Sequence, residues 1–404
     1  MKVLLIDVNC KHSSTGKIVY SLYEQLKQAG HTAAICYGRG EEIKEEGIYK
    51  FGLDWETYLH AGLARLTGKN GYYSPFSTRR LINYIEQFKP DLIHIHELHA
   101  YFVNIYQLLG YIKRKKIPVV WTFHCEYMYT GKCGYTYNCD KWLSGCGNCP
   151  AVKEYPTSLF LDRSKEMFSD KKNALKDWPF SIVTPSNWLA DKVKKSFLGN
   201  KEISVIHNGI DTNSVFYPRE KNAELLKQIT PGKKIILAVA PNIMEERKGG
   251  KYVLQVAKEL QDQPYEFVLI GTEETKRYAD NVLFIARTKN QEELARWYSS
   301  ADAFLICSTM ENFPTTCLEA LSCATPVIGF NCGGTAETAP QPYGHFVSFG
   351  DLEGLKNLIL QVHTIAEKRQ AIRQYACEHY DMKIMMDGYL KIYQQATKLE
   401  NQAI

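Results

Sequence analysis

Long hydrophobic runs are missing from this chain: nowhere does it approach the ~20 consecutive apolar residues of a transmembrane helix. Low-complexity tracts are missing too, and neither sign of charge dominates. The 49 Lys and Arg against 44 Asp and Glu leave a net charge of +5, far from a nucleic-acid-binding profile, so no nucleic-acid partner is expected. That mild excess suits an anionic substrate or a loose hold on an acidic membrane surface. The opening Met1-Lys2-Val3-Leu4-Leu5-Ile6-Asp7 lacks the longer apolar stretch and small-residue cleavage site of a signal peptide, and reads as a buried strand. The expectation is a cytoplasmic protein whose only membrane contact is peripheral, at the inner face. Its compartment is then reducing, so the twelve cysteines are not expected to form a disulfide framework. No Asp-x-Asp metal-binding pair follows any of the chain's apolar runs.

What the sequence does have is length and alternation. Its 404 residues exceed one ordinary hydrophobic core and predict two domains. Short apolar runs alternate with helical patterns, the mark of parallel βαβ units. The first half predicts strands at Val3–Asp7, Thr32–Tyr37, Leu92–His96, Val119–Phe123, Ser181–Thr184 and Ile203–Ile206. A second series starts at Lys234–Ala240 and continues through Tyr265–Ile270, Val282–Phe284, Ala303–Cys307, Pro326–Gly329 and His345–Val347. Helical patterns include Ile18–Ala29, Leu81–Gln87 and Asn187–Lys194. The polar turn in composition at Phe216-Tyr217-Pro218-Arg219-Glu220 places the linker there, since Pro218 fits neither a strand nor a helix interior. The predicted organisation is a first α/β domain over 1–215, a second over 216–380 and a terminal helix over 381–404. That helix carries Tyr389 and Tyr393 on one face and is expected to pack outside the second sheet. Cys10, Cys36, Cys307, Cys317, Cys323, Cys332 and Cys377 sit among apolar neighbours and read as small core residues.

In open parallel sheets ligands bind beyond the carboxyl ends of the strands, so residues just after strands carry the chemistry. After Ala303–Cys307 comes Ser308-Thr309-Met310-Glu311-Asn312-Phe313-Pro314-Thr315-Thr316-Cys317-Leu318-Glu319-Ala320. Pro314 suits the first turn of a helix, whose amides and partial positive charge would receive a diphosphate. Glu311 and Glu319 flank that helix start, as acceptors for a hydroxyl-rich ligand; by spacing alone the pair reads more readily as two solvated acids. Ser13-Ser14-Thr15-Gly16-Lys17 also joins a strand to a helix, with Gly16 allowing close approach of backbone to phosphate. It is no Walker A loop, because Lys11 stands where the first glycine must be, and a single glycine does not make a dinucleotide fingerprint.

The segment from Glu311-Asn312-Phe313-Pro314 through Glu319 to Thr325-Pro326-Val327-Ile328-Gly329 resembles the donor signature of the retaining glycosyltransferase family 4. Gly333-Gly334 before Glu337, the turn His207-Asn208-Gly209-Ile210-Asp211 and Thr184-Pro185-Ser186 are similar to other motifs of that family, in the same order. The resemblance runs from the first strand to about Tyr380, and extends to the family's members in bacterial polysaccharide assembly. It implies an α/β GT-B fold of two Rossmann-like, doubly wound domains facing an interdomain cleft, the first binding acceptor and the second a nucleotide sugar. It implies that Glu311 bonds the transferred sugar and Glu319 the ribose, while the backbone of Asn312, Phe313, Pro314, Thr315 and Thr316 holds sugar and phosphate. Lys248, in Arg247-Lys248-Gly249, falls at the lysine that neutralises the diphosphate. The family's usual arginine, five residues earlier, is here Ile243, which passes that duty to Arg247. Arg287 and Thr288 fall where the family's backbone meets the base, and Gly16 with Lys17 at the far end of the donor. His124 matches the active-site histidine beside the sugar, but the aspartate that commonly follows is Cys125. His94, His96 and His99 lie in or after the neighbouring strand, as core or rim histidines or as acceptor contacts.

The implied reaction is retaining transfer from a UDP- or GDP-sugar to a glycan or lipid-linked acceptor, without a catalytic metal, by same-face substitution assisted by the departing phosphate. Rival readings are a nucleotide-sugar epimerase or a sugar phosphorylase on the same fold, and a non-catalytic nucleotide-sugar-binding protein. One feature lies outside the resemblance. Cys133, Cys139, Cys146 and Cys149 crowd an insertion over 125–150, directly after His124, where a loop with few apolar residues would gain from a structural zinc. The alternative is four free thiols in a structured loop.

Overall fold

A computed structural model describes residues 1–220, 227–362 and 368–401, with side chains to 398. The chain divides into two units, one of residues 1–206 and 385–404 and the other of His207–Ile384. Each is built on a seven-stranded sheet.

The first sheet contains β1 (Lys2–Asp7), β2 (Thr32–Tyr37), β3 (Ile48–Lys50), β4 (Leu92–Ile95), β5 (Val119–Thr122), β6 (Ser181–Thr184) and β7 (Ile203–Val205). Its order is β3-β2-β1-β4-β5-β6-β7, parallel throughout. Chain order reverses at β1, where Leu5 pairs with both Ile35 of β2 and His94 of β4. That point is the ligand crevice of a doubly wound sheet. Side chains alternate across β1. Leu4 and Ile6 join a core with Phe102, Leu108 and Trp121, while Val3 and Leu5 join another with Ile18 and Leu22 of the helix Ser13–Gln28.

The second sheet contains β8 (Lys234–Val239), β9 (Tyr265–Ile270), β10 (Lys276–Ala279), β11 (Val282–Ile285), β12 (Ala303–Ile306), β13 (Val327–Asn331) and β14 (Gly344–Ser348). Its order is β10-β11-β9-β8-β12-β13-β14, with only β10 antiparallel, and the reversal falls between β8 and β12. Leu237, Val268, Phe304 and Ile306 pack beneath the helices Gln291–Ser300, Thr315–Ser322 and Arg369–Tyr380. Ile236, Phe267, Leu269 and Leu305 face the helices Gly250–Glu259 and Leu352–Leu360. The fold is therefore GT-B in kind, two Rossmann-like α/β domains. No described helix is long and apolar enough to cross a membrane. Six of the seven scattered cysteines are buried and Cys377 is half-buried.

Two boundaries depart from the sequence reading. The chain enters the second unit at His207, before the polar stretch at Phe216. Phe216 is buried against Tyr298 in the second core, so that stretch is a surface segment of the second domain. The terminal helix, Met382–Asn401, does not pack outside the second sheet. Met385, Met386, Tyr389, Ile392 and Tyr393 cover the Val3–Leu5 face of the first sheet. Buried hydroxyls pin it there: Tyr393 Oη lies 2.7 Å from His94 Nδ1 and Tyr389 Oη 2.9 Å from Thr122 Oγ1, while His94 Nε2 meets Thr122 Oγ1 at 2.8 Å. His94 is thus a core residue with both ring nitrogens occupied. Strands β3 and β10 went unread because β3 is three residues long and β10 is exposed at every position, recruited only by pairing with β11.

Candidate active site

The helix Thr315–Ser322 starts just past β12, the strand at the reversal of the second sheet. Its N-cap residue is Pro314, one position earlier than the first turn. No side chain caps it, which leaves first-turn amides for an anion. Glu311, in the loop before it, is 7% exposed. Lys248 Nζ donates to Glu311 Oε1 at 2.6 Å and Arg247 Nη1 to the same oxygen at 3.2 Å. Burial alone would raise the Glu311 carboxyl, but the two cations outweigh it and hold the group below its usual range. Arg247 also donates to the Met310 carbonyl and lies 3.4 Å from Glu245.

The Arg247–Lys248 turn is locked to the end of β12. Thr309 N donates to Arg247 O at 2.8 Å, and a Cβ on Gly249 would stand 1.9 Å from Cys307 O. Gly249 has φ +73°, so only glycine fits this close approach without strain. Ile243, which stands at the usual arginine position, is buried in the apolar core. The second cation at Glu311 is therefore Arg247, four residues on. Gly334 N donates to Glu311 O at 3.0 Å and clamps the loop from the other side. Val239, Pro241, Ile243, Lys248, Glu311 and Thr316 are among the residues lining a hollow of ≈ 320 Å³ at the carboxyl ends of β8 and β12.

Further along, Glu319 is buried and accepts from Tyr298 Oη at 3.0 Å. His207 stacks on Phe313 at 4.6 Å between ring centroids, and Asn208 Nδ2 donates to Phe313 O at 3.1 Å. The Asn-Gly turn thus braces the loop that carries Glu311. Arg287 and Thr288 follow β11, two strands from the reversal, with Arg287 exposed. Gly16 and Lys17 belong to the first unit, where Gly16 is buried beside Asn9 and Lys17 is exposed.

At the reversal of the first sheet, the ends of β1, β4 and β5 gather Asp7, His96, Glu97, His99, His124 and Cys125. His124 Nε2 lies 2.9 Å from His96 Nδ1, and the two rings stack. Burial lowers the pKa of His124 while the charge of Glu97 works to raise it, and lowering prevails. Cys125 occupies the aspartate position, and a carboxylate arrives from another strand instead: Glu97 Oε2 receives Cys125 Sγ at 3.6 Å and lies 2.6 Å from His99 Nε2. Burial would discharge both Glu97 and His99, yet their mutual attraction keeps Glu97 low and lifts His99 well above its usual range. Asp7 is fully buried and pushed up to about 7, by burial first and then by Glu97. Its Oδ1 accepts from Glu97 N at 3.1 Å and its Oδ2 has no partner. Sequence reasoning passed over Asp7 and Glu97. An acid closing a strand that ends beside the sheet reversal was the available signal.

Cys133, Cys139, Cys146 and Cys149 line one hollow of the insertion, but no three of their sulfurs come within 4.8 Å of one another, so the arrangement does not support the four-thiolate zinc site. Among the described residues only Glu97, His99 and Cys125 bring three ligand atoms within 4.8 Å of one another, and hydrogen bonds already link them. In the insertion, Cys146 Sγ accepts from Gly131 N at 3.2 Å, while Cys133 donates to Cys149, which lowers the Cys149 thiol and raises that of Cys133. Nor does this loop lack a core. Tyr127, Met128, Tyr129 and Trp142 enter the first domain's interior. Buried Lys171 donates to the carbonyls of Tyr127, Thr130 and Gly131 at 2.6, 3.1 and 3.3 Å, and buried Glu126 accepts from Thr136 and Lys192. Packing and carbonyl-bound ammonium groups supply the stability that a metal was expected to bring.

Comparison with known proteins agrees with this architecture. The Glycosyltransferase Family 4 model matches residues 15–214, and the model for glycosyl transferases group 1 matches residues 221–379. A putative colanic acid biosynthesis glycosyl transferase, WcaC of Escherichia coli K12, is 24% identical over 98% of this chain and 100% of its own. A glycogen synthase of Desulfitobacterium hafniense is 27% identical over 75% of this chain and 69% of its own. Among solved structures, sucrose-phosphate synthase of Thermosynechococcus elongatus superposes with a TM-score of 0.70 at 17% identity, covering 98% of each chain. Anabaena HepE in complex with UDP-glucose gives 0.65 at 13% identity over the whole of both chains. The chain belongs to glycosyltransferase family 4 and has its GT-B fold.

Proposed function

We propose that the protein transfers a glycosyl group, with retention, from a UDP- or GDP-sugar to a glycan or lipid-linked acceptor in cell-surface polysaccharide synthesis on the cytoplasmic side. The observation that carries this reading is the Glu311–Lys248–Arg247 cluster beside an uncapped helix start at the reversal of the second sheet. Two cations and a helix start suit a diphosphate, and they offer charge for the departing phosphate from protein groups in place of a metal. Glu311 is assigned to the hydroxyls of the transferred sugar. Buried Glu319 is assigned to the ribose, Asn312, Phe313, Pro314, Thr315 and Thr316 to sugar and phosphate, Arg287 and Thr288 to the base, and Gly16 with Lys17 to the diphosphate's far end. His124, with Glu97 and His99, is assigned to the acceptor side. WcaC supports a polysaccharide product, and the UDP-glucose complex of HepE supports a nucleotide sugar as donor.

A thermal-shift screen with UDP, GDP, ADP and their sugars tests the donor, because a ligand that binds only the folded state raises its melting temperature. A nucleoside diphosphate or its sugar should shift the wild type and not a Lys248→Met variant. Equal shifts in both proteins would remove the assignment. Release of free UDP without any acceptor would favour an epimerase instead, and a requirement for inorganic phosphate would favour a phosphorylase.

A further inference from the structure

Two buried polar side chains of the second domain meet across a pair of helices, and one of them belongs to the donor-site assignment. Glu319 is the fifth residue of the helix Thr315–Ser322 and only 7% exposed, beside Leu318, Ala320 and Leu321 of the apolar core. Tyr298, in the helix Gln291–Ser300, is fully buried, and its Oη donates to Glu319 Oε2 at 3.0 Å. Burial first, and then the charge of Glu319, push the Tyr298 phenol well above its usual range, so the hydroxyl keeps its proton and stays a donor.

Tyr298 is itself fixed at both ends. Phe304 and Phe216 meet its ring edge-on, at 5.5 and 6.3 Å between centroids. Its carbonyl accepts from Thr325 Oγ1 at 2.6 Å and from Ala301 N at 3.1 Å, and Thr325 lies just past the helix that carries Glu319. The hydroxyl therefore reaches Glu319 from a ring that other contacts hold in place. As a source of stability, an apolar pair of the same volume would do at least as well, because bonding a buried carboxylate mainly offsets its desolvation. What this pair adds is orientation. A glutamate has several side-chain torsions to order, and a carboxylate that must meet vicinal hydroxyls binds them tightly when those torsions are set beforehand.

We propose that Tyr298 is a positioning residue of the donor site: its hydroxyl holds the Glu319 carboxylate in the orientation that receives the ribose hydroxyls, and so gives the site its preference for ribonucleotides over deoxyribonucleotides. The inference rests on the assignment of Glu319 to the ribose, and adds a residue that acts only through that carboxylate. Tyr298 comes from a separate helix that none of the donor motifs covers. The ribose is remote from the bond that breaks in transfer. A loosened Glu319 therefore weakens the ground state and the transition state alike, which raises KM and leaves kcat little changed.

Titration of the full chain with UDP or GDP, whichever binds, and with its 2′,3′-dideoxy analogue tests the proposal. The wild type should favour the ribonucleotide by about 100-fold, as expected when a buried acceptor is left without its partner. Tyr298→Phe keeps the ring between Phe216 and Phe304, and should bind the ribonucleotide about tenfold more weakly with the dideoxy analogue unchanged. With the sugar donor, KM should rise by a similar factor while kcat stays within about twofold. Glu319→Leu should lose the preference, and adding Tyr298→Phe to it should weaken nucleotide binding no further, since the hydroxyl acts only through the carboxylate. A preference lost in Glu319→Leu but intact in Tyr298→Phe would overturn the role of Tyr298 alone, even if the melting temperature of that variant fell. Equal weakening of both nucleotides in Tyr298→Phe would mark a structural role and overturn it as well. A preference intact in Glu319→Leu would remove the ribose assignment itself, and the proposal with it.

Discussion

Replacing Glu311 and Lys248 separately should give opposite effects on donor binding. Glu311 neutralises one of two cations 2.6 and 3.2 Å away, and its side chain is only 10% exposed. On the proposed assignment, a diphosphate that enters takes Lys248 from Glu311, which makes the carboxylate a competitor in the binding step and a sugar contact only afterwards. Glu311→Gln removes the competitor and leaves both cations, so UDP or GDP should bind as tightly as to the wild type or more tightly. Lys248→Met removes a charge-assisted hydrogen bond worth about 1.5–3 kcal/mol, so the same nucleotide should bind roughly 10- to 100-fold more weakly. Transfer should fall in both variants, in Glu311→Gln by about 100-fold or more, as for loss of one preorganised polar contact to the reacting group. Titration calorimetry with the nucleotide, beside initial rates with the sugar donor, separates the two effects. Equal weakening of nucleotide binding in the two variants would refute the competition. Normal turnover in Glu311→Gln would remove Glu311 from the reaction.

Other expectations follow from the same structure. Asp7 is raised from 3.8 to about 7, so the folded protein retains a proton that the unfolded chain releases. Its contribution to stability therefore falls as pH climbs from about 4 to about 7, by at most about 4 kcal/mol, and stays low above that. Asp7→Asn should flatten that part of a urea-denaturation series against pH, and an unchanged slope would count against it. Tyr393→Phe should cost about 1 kcal/mol by leaving His94 Nδ1 without its partner, and removal of residues 385–404 should prevent soluble expression, since it bares Val3 and Leu5. Lys171→Met should make the Cys133–Cys149 loop the first site of limited proteolysis, because three carbonyls lose their donor. Initial rates of transfer should survive a brief excess of EDTA, and strict dependence on added magnesium or manganese would overturn the protein-borne charge stabilisation proposed here.

Local pattern was enough for much of this protein. Buried parallel strands announce themselves as short apolar runs, so twelve of the fourteen strands among the described residues were legible to within a few residues. The order of family-like motifs, from Thr184-Pro185-Ser186 to Gly333-Gly334, was enough for the fold and the class of enzyme. Three things waited for the tertiary structure, and each depends on contacts between residues far apart in sequence. The terminal helix shows tyrosines on one face, but only the placement of His94 and Thr122 decides which sheet receives them. Cysteine spacing suggested a metal, but spacing does not report that Lys171 binds the loop's carbonyls from outside it and that the loop's own Trp142 reaches the first domain's core. The acid near His124 comes from the end of β4, not from the next residue in the chain. Sequence lists neighbours along one strand, whereas a parallel sheet sets the ends of β1, β4 and β5 side by side. Chemistry at those ends is decided by strand order, which no local pattern encodes.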